Sequence, residues 1–220
     1  YHELAIDPDG CERALLSDAE REHNIHLMSN LLMELKNNIK GGSILDVGCG
    51  PGWLLSALDN DKWDKYGLEI SSVASKHASK FGIIFNGTLE QYNTELKFDV
   101  ITMNHVIEHL EDPINAIEKI HALLKKGGTF ILGTPNFDSA AARRYGNNYR
   151  MLGDYTHISL FTSDSMHRFL RDYGFKIYKV DYPFFDTKYF NKENVLKVLN
   201  SDIISPPMYG SVMDFYSKKI

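Results

Sequence analysis

The sequence predicts a three-layer α/β architecture. A doubly wound, mostly parallel sheet lies between helices, with one antiparallel strand at the C-terminus. Strand-like and helix-like stretches alternate about five times between the region of Ser43 and that of Gly133, the rhythm of a parallel sheet covered on both faces. The first strand runs straight into a loop with three glycines in five residues, Gly48 to Gly52. After the breaker Pro206-Pro207, a last alternating stretch from Val212 to Ser217 reads as the closing, hairpin-like strand.

The elements follow in order. Ser17 and Glu20 have the spacing of a capping box, and Ile25, Leu27, Met28, Leu31, Leu32 and Leu35 recur near helical spacing, predicting a leading helix to about Asn38. Residues 43–48 form the first strand, 53–59 the helix after the glycine loop, and 66–70 the second strand. Ser71 or Ser72 caps a helix to about Phe81, ended by Gly82, and residues 83–85 make the third strand. The fourth strand spans 98–103. A helix then opens at Asp112, with Pro113 in its first turn and Ile114, Ile117, Ile120, Leu123 and Leu124 as its buried stripe. Lys125 and Lys126 suit the end of that helix, Gly127-Gly128 stop it, and 129–133 form the fifth strand. Residues 136–161 lose the period and read as an inserted lid or substrate segment. Alternation returns with a helix at 163–173, a strand at 176–181 and a helical stretch near 192–200.

At 220 residues, one domain with an appendage is expected: an N-terminal helical lid over 1–40 and a main domain over 41–220. Hydrophobic residues make up 43% and charged residues 24%, which is globular usage and excludes a disordered chain. No apolar run has the length of a membrane span. A net charge of −5 and a pI near 6.0 disfavour a broad nucleic-acid surface. Two cysteines, Cys11 and Cys49, and an N-terminus without leader-like character predict a reduced, cytoplasmic setting.

Glycines between a first strand and a first helix let a ligand approach the backbone, where the helix start offers free N–H groups. Glu69 ends the second strand 23 residues after Asp46, where a carboxylate can accept both hydroxyls of a ribose. An adenosine-containing ligand follows. The third glycine comes one residue too early for the dinucleotide fingerprint, and no Gly-Lys-Ser or Gly-Lys-Thr makes a phosphate loop. Cys49 has no base within sequence reach and reads as a small buried filler rather than a nucleophile.

These residues resemble the class I S-adenosylmethionine-dependent methyltransferases, a Rossmann-like family. The match runs through Ile-Leu-Asp-Val-Gly-Cys-Gly-Pro-Gly at 44–52, Gly-Leu-Glu at 67–69, the stretch 98–113 with Asn-His-Val-Ile-Glu-His, and Gly-Gly-Thr-Phe-Ile-Leu-Gly-Thr-Pro-Asn at 127–136. It covers about 40–180 and is similar to the branch of ubiquinone-biosynthesis-type O-methyltransferases and small methyltransferases of surface-polysaccharide and natural-product pathways. The resemblance implies that Asp46, Gly48 and Gly50 line the methionine part of S-adenosylmethionine, that Glu69 holds the ribose and that Ile70 lies beside adenine. Cys49, Gly52, Leu89 and Asn104 complete the implied cofactor set. The family often has an acidic residue after strand three; Thr88 stands there, leaving the adenine amine to its hydroxyl, to the Leu89 backbone or to Glu90.

His105, Glu108 and His109 have i, i+3, i+4 spacing, which on a helical turn gives one face able to ligate a divalent metal. The same run matches an inverted zinc-peptidase signature, but Pro113 follows too soon for the long helix that reading requires. Small-RNA 3′-terminal ribose methyltransferases use a related run to hold magnesium; Glu108, His109 and a distant His157 are the matching set here, with His105 departing from the pattern. The favoured reading has no metal: Glu108-His109 packs the cofactor loop, and His105 or His157 acts as general base toward an acceptor hydroxyl. Arg143, Arg144, Tyr149 and Arg150 form a local basic and aromatic group suited to a carboxylate, phosphate or nucleotide-linked sugar, or else a solvated loop face. The expected activity is O-methylation of a small molecule or sugar. The alternatives are a metal-assisted methyltransferase of RNA ends and a cofactor-binding module without turnover.

Overall fold

The structure, a computed structural model, describes residues 4–6, 12–14, 16–184 and 192–220. The chain divides into two units, Tyr1–Thr102 and Met103–Ile220.

The first unit opens with a small antiparallel hairpin, β1 (Leu4–Ile6) and β2 (Glu12–Ala14), pairing Leu4 with Ala14. Helix α1 (Asp18–Leu27) is capped by the Ser17 side chain, which accepts the Glu20 N–H. The expected single leading helix is broken at Met28: α2 (Ser29–Glu34) follows, and a wide π turn over Leu35–Ile39 ends at Lys40 with φ 74°. The reason is visible in burial. α1 buries no residue, whereas α2 and the turn bury Leu31, Leu32 and Leu35, so the apolar stripe belongs to the second piece alone.

β3 (Gly42–Val47) and β4 (Trp63–Glu69) pair in parallel, with Asp46 opposite Gly67, and β5 (Ile83–Asn86) pairs parallel to β4. Between them stand α3 (Trp53–Ser56), shorter than expected, and α4 (Ser72–Ala78), capped by Ser71. Lys65 Nζ donates to the carbonyls of Leu55 and Leu58, satisfying the end of α3 that sequence periodicity extends to residue 59. β6 (Phe98–Asn104) is tied to β3 where the Ser43 N–H and hydroxyl both donate to Asp99 Oδ2, at 2.8 and 2.9 Å. Ile44, Leu45, Phe98, Val100 and Ile101 are fully buried, consecutive residues of β3 and β6 among them, as in strands covered on both faces.

In the second unit a 3-10 turn (Ile107–His109) precedes α5 (Pro113–Leu123), whose N-cap Asp112 accepts the Asn115 N–H at 2.9 Å. Its buried stripe is Ala116, Ile117, Ile120 and Leu123; Ile114, expected inside, is 49% exposed, because it falls in the first turn, off the face that meets β7. The helix also ends sooner than expected. Lys125 to Gly128 belong to β7 (Leu124–Pro135), an extended approach whose inner part, Thr129 to Pro135, is wholly buried. α6 (Ala140–Tyr145), a 3-10 turn (Gly146–Asn148) and α7 (Arg150–Gly153) fill the segment expected as an insertion. α8 (Ser163–Asp172), with a capping box on Thr162 and Ser165, leads through Gly174 to β8 (Phe175–Asp181). α9 (Lys192–Val198) packs Val198 with Ala140–Ala142, and β9 (Val212–Lys219) lies antiparallel between β7 and β8. The parallel strands of the first unit and the antiparallel closing strands of the second are the α/β class that the alternation predicts.

Candidate active site

The glycine loop of the first unit is built from backbone demands. Gly48, Gly50 and Gly52 take φ of 73°, 53° and 86°, the left-handed region where a side chain costs about 1–2 kcal/mol. The N–H groups of Gly48 and Cys49 both donate to Leu68 O at 2.9 Å, folding the loop over the end of β4. The Glu69 carboxylate then reaches back: Oε2 accepts the Gly50 N–H at 2.9 Å and Oε1 the Ser71 N–H at 2.8 Å. Each oxygen keeps a lone pair for another donor. Pro51 O meets His77 Nδ1 at 2.8 Å, and the His77 ring lies edge-on to Trp53, anchoring the loop to α4.

Asp46 sits under this loop, 5% exposed, accepting the Thr102 hydroxyl at 2.7 Å. Burial pushes its carboxyl up to about 7, against the Thr102 bond and with the help of the Glu69 charge. Cys49 is buried and its thiol is driven far above the ordinary range by burial and by both carboxylates, which makes it the inert filler the sequence reading expects. It fits only because Gly67 faces it: a Cβ at Gly67 would stand 2.7 Å from Cys49 Sγ. Ile70, next to Glu69, is 73% exposed; Leu89 is buried; the Thr88 hydroxyl accepts the Gln91 N–H at 3.4 Å.

In the second unit, His105, Glu108 and His109 do not share one helical face. Only Ile107–His109 is a helical turn, and His105 stands before it at φ 52°, a strained left-handed conformation for a residue with a side chain. His105 Nδ1 meets Glu108 Oε1 at 3.2 Å, and the Thr134 hydroxyl donates to Glu108 Oε2 at 3.0 Å. The Glu108 side chain is fully buried and the His105 side chain 42% exposed. Burial works against charge on both, but the hydrogen bond and attraction between them win: the Glu108 carboxyl is held below its ordinary value and the His105 imidazolium above it.

His157 is packed against His109, ring centroids 4.9 Å apart, with its Nδ1 donating to Met151 O at 2.8 Å and its Nε2 3.8 Å from Asp154 Oδ2. Its Nδ1 thus serves the fold of its own segment. His109 Nδ1 likewise donates to Thr156 O. Glu108, His109 and His157 place one ligand atom each within 4.8 Å of one another, a spread wider than the ~3.3 Å between ligands of a tetrahedral zinc ion. Glu108 also spends an oxygen on each of its two partners.

The basic group near 143–150 disperses. Arg143 donates to the carbonyls of Ser205 and Pro207, Arg144 lies over Tyr145, and Tyr149 is buried beside Ala140 and Val198. Sequence reading missed Asp214 on β9, whose carboxyl is pushed up to about 6, by burial first and by Asp181, against the pull of His105 and Lys179. Its one signal was a carboxylate in the middle of the otherwise apolar run from Val212 to Tyr216.

Residues 20–180 match the model of a methyltransferase domain. A ubiquinone biosynthesis O-methyltransferase of Actinobacillus pleuropneumoniae serotype 7 is 33% identical over 129 residues, 51% of this chain and 55% of that protein. One of the same name from Aliivibrio fischeri strain MJ11 is 32% identical over 124 residues, covering 52% and 53%. The chain thus spans about half the length of the curated relatives it matches. A solved methyltransferase of Thermotoga maritima, described as a possible histamine N-methyltransferase, is 25% identical, with 92% of this chain and 95% of that one covered and a TM-score of 0.62. The plantazolicin methyltransferase BpumL, solved with a pentazolic desmethylPZN analog and SAH, shares the fold at 19% identity, 97% and 91% coverage and a TM-score of 0.64. A family match over most of the chain, together with a strand, glycine loop and acidic strand end that fold as its motifs require, means that this chain belongs to the S-adenosylmethionine-dependent methyltransferases.

Proposed function

We propose that the chain transfers a methyl group from S-adenosylmethionine to a hydroxyl of a small molecule or sugar. The observation that carries this reading is Glu69: a buried carboxylate that fixes the glycine loop through Gly50 and Ser71 and still has acceptor capacity for a ribose diol. The residues present suit the cofactor. Exposed Ile70 offers an apolar ledge for adenine, with Leu89 and Thr88 following β5. Buried Asp46 suits the ammonium group of the methionine part, which offsets the cost of ionising its carboxyl. Gly48, Cys49, Gly50 and Gly52 supply backbone approach, and Asn104 ends β6 two residues beyond Thr102.

S-adenosylmethionine supplies a methyl group on a cationic sulfur, a leaving group that needs no acid. The chain's own work is therefore to orient the acceptor and remove its proton. His105 is the general base of this reading. Glu108 meets its Nδ1 at 3.2 Å, and the His105 side chain is 42% exposed where Glu108 is buried. The bond of His157 Nδ1 to its own segment and the burial of its side chain, 7% exposed, support His105 over His157. The names of the curated relatives support oxygen as the methylated atom. Residues 1–40 serve as a lid and 136–161 as an acceptor segment in this reading. The low cysteine count supports a cytoplasmic setting, and no helix among the described residues is long and apolar enough to cross a membrane.

The test is calorimetric titration with S-adenosylhomocysteine, followed by a screen of hydroxylated acceptors with and without magnesium. Binding near one per chain and metal-independent transfer to a hydroxyl are expected. Absence of binding by the folded protein, or transfer that stops on chelation, would overturn the reading.

A further inference from the structure

We propose that His77 of α4 is a positioning residue for cofactor binding, holding the glycine loop in its binding conformation before S-adenosylmethionine arrives; this deepens the glycine-loop reading above and rests on it. The loop needs holding. Gly48, Gly50 and Gly52 all take positive φ, and glycine, which adopts such angles freely, also has the most freedom to leave them. Three tethers come from β4: the N–H groups of Gly48 and Cys49 donate to Leu68 O, and that of Gly50 to Glu69 Oε2. These fix residues 48–50. Beyond them, His77 Nδ1 donates to Pro51 O at 2.8 Å and ties the second half of the loop to α4.

The sequence of α4 suits this contact. His77 stands at the border of the helix face that buries Ala74, Ser75 and Ala78. Small side chains there let the loop come close: a Cβ at Gly52 would stand 3.0 Å from Ala78 Cα and Cβ and 3.1 Å from Phe81 Cδ2. The imidazole is held in turn. Its ring meets Trp53, the first residue of α3, edge-on at 4.8 Å between centroids, and Phe81 at 5.7 Å. Trp53 and Phe81 are 6.4 Å apart, so three rings pack against one another where the loop passes into α3. A carbonyl oxygen only accepts, so the bond selects the Nδ1–H tautomer of a neutral imidazole, and protonation leaves the same donor in place.

Ordering that the cofactor would otherwise have to impose on a glycine loop is supplied beforehand by the His77 bond. Its loss lowers the fraction of chains whose loop is competent and raises Kd in proportion. One neutral hydrogen bond corresponds to about three- to tenfold. The effect requires no contact between His77 and the cofactor.

The test is calorimetric titration with S-adenosylhomocysteine on wild type and on two variants that separate the bond from the packing, each checked for folding by circular dichroism. His77→Phe keeps a ring beside Trp53 and removes the donor, and its Kd is expected to rise about three- to tenfold. In His77→Asn the amide nitrogen stands as many bonds from the backbone as Nδ1, so the donor returns without the ring. Its melting temperature is expected to fall while its Kd stays well below that of His77→Phe. In wild type, two-bond proton–nitrogen spectra should show the Nδ1–H tautomer for the histidine whose signal the variants lose. A Kd less than threefold above wild type in His77→Phe, a His77→Asn chain that binds no better than His77→Phe, or an Nε2–H tautomer overturns the proposal. If neither variant folds, His77 is a folding residue and the proposal is overturned as well. Glu69→Ala separates the two readings. Unchanged affinity there, or no binding by wild type, ends the loop reading and this one with it, whereas binding lost in Glu69→Ala but kept in His77→Phe removes His77 alone.

Discussion

Replacing Glu69 by glutamine preserves its shape and removes its charge, so the effect can be worked from the bonds it makes. The carboxylate accepts two backbone N–H groups, from Gly50 at 2.9 Å and Ser71 at 2.8 Å. In glutamine one of those positions becomes an NH2 facing an N–H, leaving one buried donor unsatisfied at a cost of about 1–3 kcal/mol. The loop loses a tether, and two charge-assisted bonds to the ribose diol weaken or vanish. At about 1.5–3 kcal/mol each, these amount to roughly 3–6 kcal/mol of binding, or about a hundred- to ten-thousandfold in Kd. Calorimetry with S-adenosylhomocysteine on wild type, Glu69→Gln and Glu69→Ala measures this, with circular dichroism to confirm folding. A Kd within about threefold of wild type in a folded Glu69→Gln chain would refute the argument, because a carboxylate that holds the ribose diol could not be so neutral.

The buried carboxylate of Asp46 makes stability depend on pH. Its folded value is about 7 against 3.8 unfolded, so between these values the folded chain keeps a proton that the unfolded chain has released, and raising pH favours unfolding. Asp46→Asn removes this dependence; its melting temperature relative to wild type should be more favourable at pH 8 than at pH 5, and a pH-independent difference would count against the assignment. Gly67→Ala forces a methyl against Cys49 Sγ at 2.7 Å and Ile84 Cδ1 at 2.8 Å, which should cost about 1–3 kcal/mol in urea unfolding. A Gly67→Ala chain as stable as wild type would show that the loop yields freely. Cys49 should resist iodoacetamide at pH 8 in the native state and react on denaturation, read by mass mapping; rapid native labelling at Cys49 would contradict its burial.

The parts of this protein legible in the sequence are those that local chemistry decides. Gly48, Gly50 and Gly52 were readable as a ligand loop because their left-handed turns exclude other residues, and Glu69 because the end of a strand beside such a loop has one direction to reach. Asp112 and Pro113 marked the start of α5 by the same local logic. The leading helix was misjudged at Met28 because a continuous apolar pattern does not record which stretch has something to pack against. Lys125 to Gly128 look like a helix end because their charge and glycines suit one, yet β7 begins at Leu124 and runs through them.

The histidine cluster divides along the same line. Spacing put His105, Glu108 and His109 together on an assumed helix, but the helix exists only from Ile107, so Glu108 turns to His105 and Thr134 while His109 meets His157. Arg143, read as part of either an anion-binding group or a solvated loop face, is held by the carbonyls of Ser205 and Pro207, some sixty residues on. Asp214 has no near neighbour in sequence to declare its purpose. The sequence alone determined the class of fold and the turns of the glycine loop, because glycine conformation, capping and strand alternation act within a few residues. Tertiary structure decided which carboxylate lies over Gly133, because strand register joins Gly133 to Asp214 across more than eighty residues of chain.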